Sequence, residues 1–253
     1  MAQFEISPVD HRPFPHLLID DYLEPELYAQ LASSFPSCPP NSGPTGYSYF
    51  WGDPEYDQLL AHSEPWHTLF GRVQNQAFID YVIKQFHEVF ANESVVDLSN
   101  ARYVSYRESR ADKERARLAR IEHAPDELWV RMDIMQGRMG YDRAPHLDHR
   151  RRAATMLIYF CDSDENQMVG GDLVLHGEAD QRVVVKPRHN RMVLFPCNNA
   201  SLHSVPAVTA QAKPRNFVQI TISSSVDLWE PIGGSRLGRA ASRLRSLIAQ
   251  ARG

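Results

Sequence analysis

The chain has 253 residues, 43% apolar and 23% charged, with a net charge of −4, the balance of a soluble globular protein with room for one well-buried core. That small negative charge gives no electrostatic reason to expect nucleic acid as a partner, and no stretch approaches the ~18 uninterrupted apolar residues of a membrane-spanning helix. The segment Met1 to Pro8 has no apolar run fit for a signal peptide, and Cys38, Cys161 and Cys197 form no C-x-x-C pair, so a reducing cytoplasm is the expected compartment and a disulfide framework is not.

Residues 13–23, with Leu17, Leu18 and Ile19 behind two prolines, read as a short strand. Pro25 stands where a helix accepts its first residue, and Leu27, Leu31 and Phe35 follow at helical spacing until Pro36 ends the run. Residues 38–46 are rich in Pro, Gly and Ser and predict a loop. The aromatic cluster Tyr47, Tyr49, Phe50, Trp51 and Tyr56 is expected to pack beneath it, with a pocket wall as the other reading. From Pro65 to Phe90 the residues Leu69, Val73, Phe78, Val82, Phe86 and Val89 keep a helical period. His62, His67 and His87 lie on or beside that region and read as surface or packing residues.

Residues 101–106 and 129–135 have strand character. Between them, residues 107–127 are dense in Arg, Glu and Ala, which predicts either a solvated surface excursion or a lid. Strand-like segments follow near 153–161, 172–176, 182–187, 191–196, 202–208 and 215–224, and short strands punctuated by Gly and Pro suggest a sandwich or barrel. Gly170-Gly171 and Asn190-Arg191 read as tight turns. The tail carries Arg236, Arg239, Arg243, Arg245 and Arg252 with no acidic residue, opposite Leu237, Ala241, Leu244 and Ile248. It predicts a basic helix over 235–251, packed on its own domain, on a subunit neighbour in a homodimer, or on an anionic surface. The expected organisation is one domain: helical support over 1–98, a β core over 99–228 with an insertion at 107–128, and the terminal helix.

The chemistry-bearing stretch is Pro145-His146-Leu147-Asp148, read with His203. An imidazole and a carboxylate two residues apart can grip one metal ion from an extended segment, and a second imidazole completes a facial set that suits Fe(II) and leaves three positions open. One His-x-Asp alone is weak, and ligand type alone also allows zinc. Two competing pairs, His62-Ser63-Glu64 and His176-Gly177-Glu178, sit in the helical region and at a turn near His203. The surrounding order adds the strand Thr155 to Phe160, the turn Val169-Gly170-Gly171-Asp172-Leu173, the strand Met192 to Pro196, Ser201-Leu202-His203, and Arg215 heading Asn216 to Ile222. This succession resembles the iron(II)/2-oxoglutarate-dependent dioxygenases, specifically the prolyl-4-hydroxylase-like group, over residues 130–225.

The resemblance implies a mainly β protein with a helical N-terminal part: a double-stranded β-helix, or jelly roll, with buttressing helices. It implies Fe(II) on His146, Asp148 and His203, and O₂ and 2-oxoglutarate as co-substrates. The far carboxylate of 2-oxoglutarate would meet Arg215, assisted by the Tyr159 hydroxyl. Part of the family places a Ser two residues after this Arg, where this chain has Phe217, but strand alternation puts Gln219 and Thr221 on Arg215's face. The implied reaction is hydroxylation of an unactivated C–H bond of a small molecule or peptidyl substrate, with succinate and CO₂ as co-products and ascorbate helpful in vitro. Substrate contacts are expected from Tyr106, Arg143, Arg150 and Arg152, the arginines forming either a solvated run or a grip for an anionic substrate. The rival class is a jelly-roll binding module that keeps the metal-binding residues without turnover.

Overall fold

A computed structural model of the chain describes residues 4–40, 46–107 and 122–230. The N-terminal part contributes the short strand β1 (Leu17–Ile19) and helix α1 (Pro25–Ser33), followed by strand β2 (Tyr47–Tyr49). Four helices come next: α2 (Pro54–His62), α3 (Glu64–Val73), α4 (Gln76–Gln85) and α5 (His87–Glu93). Pro25 opens α1, whose Leu27 and Leu31 turn inward, as the spacing predicts. The helical stretch expected over 65–90 divides into three helices, because the Asn75 side chain accepts from the Phe78 amide and caps a new start, and the chain turns again at Phe86.

The β part runs β3 (Arg102–Tyr103), β4 (Glu127–Gly137), β5 (Arg143–His146), β6 (Arg152–Tyr159), β7 (Leu173–His176), β8 (Arg182–Val185), β9 (Met192–Pro196), β10 (His203–Val205) and β11 (Arg215–Ser223). One sheet is ordered β1-β9-β6-β11-β4-β2, with β3 joined to β4; the other is β5-β10-β7-β8. All pairings are antiparallel except β3 with β4. This is the jelly roll that the resemblance implies. Helix α2 and strands β2 and β5 go beyond the sequence reading, and the expected strand over 101–106 shortens to two paired residues. Most of the insertion over 107–127 and the tail helix over 235–251 lie outside the described residues. No helix among the described residues is long and apolar enough to cross a membrane.

Alternation along the central strands sorts side chains between two cores. Outward residues Met132, Ile134, Met156, Ile158, Val218, Ile220 and Ile222 pack with Leu31, Trp66, Leu69, Phe78 and Val82 of the helices. Inward residues Leu157, Tyr159, Val193, Phe195 and Phe217 meet Leu173, Leu175 and Val205 of the smaller sheet. Each fully buried large apolar side chain contributes about 1.5–3 kcal/mol, so the helical layer holds the larger sheet's curvature from behind while its other face stays inside the roll. The predicted turn at Asn190 (φ +58°) fastens the entry segment. Its side chain bonds the Leu23 amide at 2.9 Å and carbonyl at 2.7 Å, and Arg191 grips Asp20 with two contacts of 2.5 and 2.7 Å.

Candidate metal centre

Strands β5 and β10 pair antiparallel with His146 directly opposite His203, which brings the two imidazole centroids to 4.3 Å. Asp148 follows β5 by two residues. One ligand atom from each of His146, Asp148 and His203 lies within 4.8 Å of the others, the one such group of three found among the described residues. The competing histidines go elsewhere: His62 Nδ1 contacts the Gln58 carbonyl, and His176 Nε2 lies 2.7 Å from the Ser204 hydroxyl.

Each ligand candidate is held from behind. His146 Nδ1 is 2.8 Å from the Ala144 carbonyl and His203 Nδ1 is 2.9 Å from the Ser201 carbonyl. A carbonyl only accepts, so the protons sit on Nδ1 and the Nε2 lone pairs are free for a metal. Burial lowers the His203 pKa, partly opposed by the Asp148 charge, which favours the neutral ligating ring. Burial alone would raise the Asp148 pKa. The Arg152 guanidinium, the His203 ring, the Thr155 hydroxyl and His146 outweigh it and hold the carboxyl far below the usual range. Arg152 Nη1 donates to Asp148 Oδ1 at 2.6 Å and Thr155 Oγ1 to Oδ2 at 2.6 Å. A carboxylate offers about four lone-pair directions, so it can still give one oxygen to a cation.

Along the inner face of the roll lies a second constellation. Arg215, 1% exposed, donates from Nε to the Gly171 carbonyl at 2.7 Å and from Nη2 to the Tyr159 hydroxyl at 3.2 Å. Its guanidinium also lies 4.5 Å over the Phe217 ring. Its Nη1 is buried without a hydrogen-bond partner, and no carboxylate within 4.0 Å pairs with it among the described residues. A buried guanidinium in that state is costly unless an anion meets it. Tyr159, pushed up to about 12 by burial against the Arg215 charge, keeps its phenol proton for donation. The residues therefore fit both groups that the resemblance implies, a divalent metal and a dicarboxylate.

The Gly171 carbonyl is in place because Gly170 and Gly171 both sit at φ +79°, a region only glycine enters freely. A Cβ on Gly170 would lie 2.0 Å from the Ala207 carbonyl oxygen. Gly170→Ala is expected to cost about 1–3 kcal/mol from backbone conformation alone, and to weaken binding at Arg215 by moving its carbonyl partner. Thermal unfolding and co-substrate titration check this, and an unchanged Tm would show that the turn is not held as described.

Of the remaining expected site residues, Gln219 and Thr221 share the inner face with Phe217. Arg143 is exposed at the start of β5. Tyr106 lies against Trp129 at 4.9 Å and His123 at 5.4 Å. The arginine run does not act as one patch. Arg150 pairs with Asp227 and donates to the Trp229 carbonyl at 3.0 Å, while Arg152 faces the Asp148 carboxylate instead of open solvent. Sequence reading missed Thr155 and the Gly171 carbonyl. Thr155 was recoverable from parity with Leu157 and Tyr159; the carbonyl carried no signal.

Residues 132–222 match the family model of the 2OG-Fe(II) oxygenase superfamily. No curated protein sequence matches the chain significantly. Among solved structures, a prolyl 4-hydroxylase of Phytophthora capsici aligns at 16% identity and TM-score 0.52, over 91% of this chain and 68% of that one. A Pseudomonas putida prolyl-4-hydroxylase aligns at 12% and 0.51, over 83% and 92%. A 2OG-Fe(II) oxygenase family oxidoreductase of Burkholderia pseudomallei aligns at 12% and 0.51, over 85% and 86%. At these identities the shared feature is the fold.

Proposed function

We propose that this chain, a 2OG-Fe(II) oxygenase of the prolyl-4-hydroxylase-like group by its residues 132–222 and its jelly roll, hydroxylates an unactivated C–H bond of a small-molecule or peptidyl substrate. In this reading His146, Asp148 and His203 hold Fe(II), and Arg215 with Tyr159 holds the far carboxylate of 2-oxoglutarate. The observation that carries it is the buried Nη1 of Arg215, unpartnered beside the Tyr159 hydroxyl in the same roll as the three-ligand set. The bound metal supplies activation of O₂, coupled to conversion of 2-oxoglutarate to succinate and CO₂.

The chain's own residues do the rest. The two carbonyl-fixed imidazoles present neutral Nε2 atoms, and Asp148 contributes the anionic oxygen that selects a divalent cation. Arg152 and Thr155 fix the rotation of that carboxylate. Arg215 and Tyr159 orient the co-substrate through charge-assisted hydrogen bonds, and the apolar wall of Phe195, Val205 and Phe217 excludes water around it.

Purified chain given Fe(II), 2-oxoglutarate and ascorbate is expected to release succinate slowly without substrate and faster with it. Zn(II) in place of Fe(II) is expected to release none. Binding of 2-oxoglutarate without succinate under any addition would support the binding-module reading instead. The prolyl 4-hydroxylases among the structural neighbours make a proline-containing peptide one substrate to include.

A further inference from the structure

Helix α5 uses two faces differently. Phe90 lies beneath the Trp229 ring, with the centroids 6.0 Å apart. Phe86, Val89 and Glu93 instead line a groove of about 520 Å³, whose other wall is the entry segment with Ile6, Val9 and Pro15. Gln85 ties the two walls together: its side chain accepts from the Ser7 amide at 3.0 Å and donates to the Ser7 carbonyl at 2.5 Å. Ile6 stands 51% exposed in this groove, an apolar side chain with room for a partner above it. The charges of the lining are unbalanced, because Glu88 and Glu93 outnumber the one lysine, Lys84. Among the described residues, the Glu93 carboxylate takes one hydrogen bond, from Asn198 Nδ2 at 3.1 Å. Although Glu93 is exposed over much of its surface, the groove shields its carboxyl from enough water to raise its pKa against that bond. A guanidinium, which can fork onto both oxygens, is the natural complement of such a carboxylate.

The described chain ends beside this helix. The Val95 amide donates to the Leu228 carbonyl at 2.8 Å, and Asn199 Nδ2 donates to the Glu230 carbonyl at 2.9 Å. Asn199 is the neighbour of Asn198, the residue that bonds Glu93. Residues 231–253 lie beyond the described part. In sequence they carry five arginines and no acidic residue, with Leu237, Leu244 and Ile248 at helical spacing after Gly233-Gly234. Fully extended, the connection over 231–234 spans at most about 14 Å, so a segment beginning at Ser235 starts near α5 and not across the roll.

We propose that residues 235–251 dock as an amphipathic helix in the groove between α5 and the entry segment of the same chain. Leu237, Leu244 and Ile248 meet Ile6, Val9 and Val89, and an arginine meets Glu93. Three observations favour this occupant: the chain leaves the described body beside the groove, the segment is purely basic where the lining is acidic, and its apolar stripe matches an exposed apolar wall. A short tether also holds the segment at high effective concentration, so a contact too weak to join separate molecules suffices here. Docking there is independent of the chemistry at the three-ligand set.

The test is amide hydrogen exchange on the full chain at low concentration and without lipid, read by mass spectrometry. Amides over 236–251 are expected to exchange at least tenfold more slowly than in a synthetic peptide of residues 231–253. The triple replacement Leu237→Asp/Leu244→Asp/Ile248→Asp lies outside both apolar cores, so the roll folds as before, with exchange in β11 as the control. It is expected to abolish the slowing and to speed exchange in the groove walls, over 5–11 and 84–93. Glu93→Gln keeps the side-chain shape and an acceptor for Asn198 but removes the charge. Its expected effect is smaller, a loss of protection over 236–251 of at least twofold, as befits a solvent-exposed ion pair. Free exchange over 236–251 in the unaltered chain, or groove walls unmoved by the triple replacement, overturns the docking. Full protection in Glu93→Gln overturns the pairing at that carboxylate. Protection that grows with protein concentration assigns the segment to a second copy, and protection that appears only with phosphatidylserine-containing vesicles assigns it to a membrane surface; either overturns docking within the chain.

Discussion

Replacing Asp148 with alanine is expected to abolish iron binding and turnover together while the chain stays folded. Asp148 supplies the one anionic donor of the three gathered within 4.8 Å, and two neutral imidazoles alone do not offset the dehydration of a divalent cation. The loss should exceed the 10–100-fold in metal affinity that about one supporting hydrogen bond behind a ligand is worth. Thr155→Val, which removes the 2.6 Å bond to Asp148 Oδ2 without changing shape, should fall within that smaller range. Folding should survive Asp148→Ala because the residue lies in the connection after β5 and belongs to neither apolar core. The measurements are iron content after anaerobic reconstitution, succinate release, and thermal unfolding. An Asp148→Ala protein that holds near-stoichiometric iron and turns over would sink the ligand assignment, whatever the behaviour of Thr155→Val.

The second large effect is expected at Arg215. Arg215→Met keeps an unbranched stem in the buried channel over Phe217 but removes the guanidinium, with its bonds to Gly171 and Tyr159 and its unpartnered Nη1. The KM for 2-oxoglutarate should rise by one to two orders of magnitude, about 1.4–2.7 kcal/mol for a lost charge-assisted contact. Iron affinity should barely change, since Arg215 is not among the ligand candidates. Arg215→Lys should recover only part of the loss, because an ammonium lacks the fork that can bond Gly171, Tyr159 and a carboxylate at once. The split between the two ligands is the informative result. Iron and 2-oxoglutarate weakening equally in Arg215→Met would point to general damage to the roll, and an unchanged KM would mean that another residue meets the carboxylate.

Where the sequence could be read, the signal was helical periodicity in the N-terminal part and short apolar runs bounded by Gly and Pro in the β part. The β segments from Arg152 to Ser223 appear close to where short apolar runs punctuated by Gly and Pro predict them. Alternation along β11 correctly sorts Gln219 and Thr221 onto the face of Phe217 and away from Val218 and Ile220. Helix α2 escaped because only Tyr56 of its nine residues is fully buried, so its apolar pattern is faint and its aromatics read as loop packing. Strand β5 escaped because Arg143-Ala144-Pro145-His146 is exposed or half-buried and contains a proline, features that place it at a sheet edge. Only its pairing with β10 makes it a strand.

What the sequence determined by itself was the set of donor types and their order along the chain: an imidazole and a carboxylate two apart, a second imidazole later, and an arginine heading the last strand. Those are local facts, set by residue identity and by the two-residue period of extended chain. What only the tertiary structure decided were the partnerships across long separations. His146 faces His203 through register, and Arg215 finds the Gly171 carbonyl 44 residues away. The three consecutive arginines are divided, Arg150 and Arg151 turning to Asp227 and Arg152 to Asp148. Arg131 and Asp133 are two residues apart and look like ordinary strand charges in sequence, yet they close on each other inside the roll. Alternation can say that two residues share a face, but whether that face meets water or a buried interior depends on which strands pair and how the sheets fold over, and that is settled by the packing of both apolar cores together.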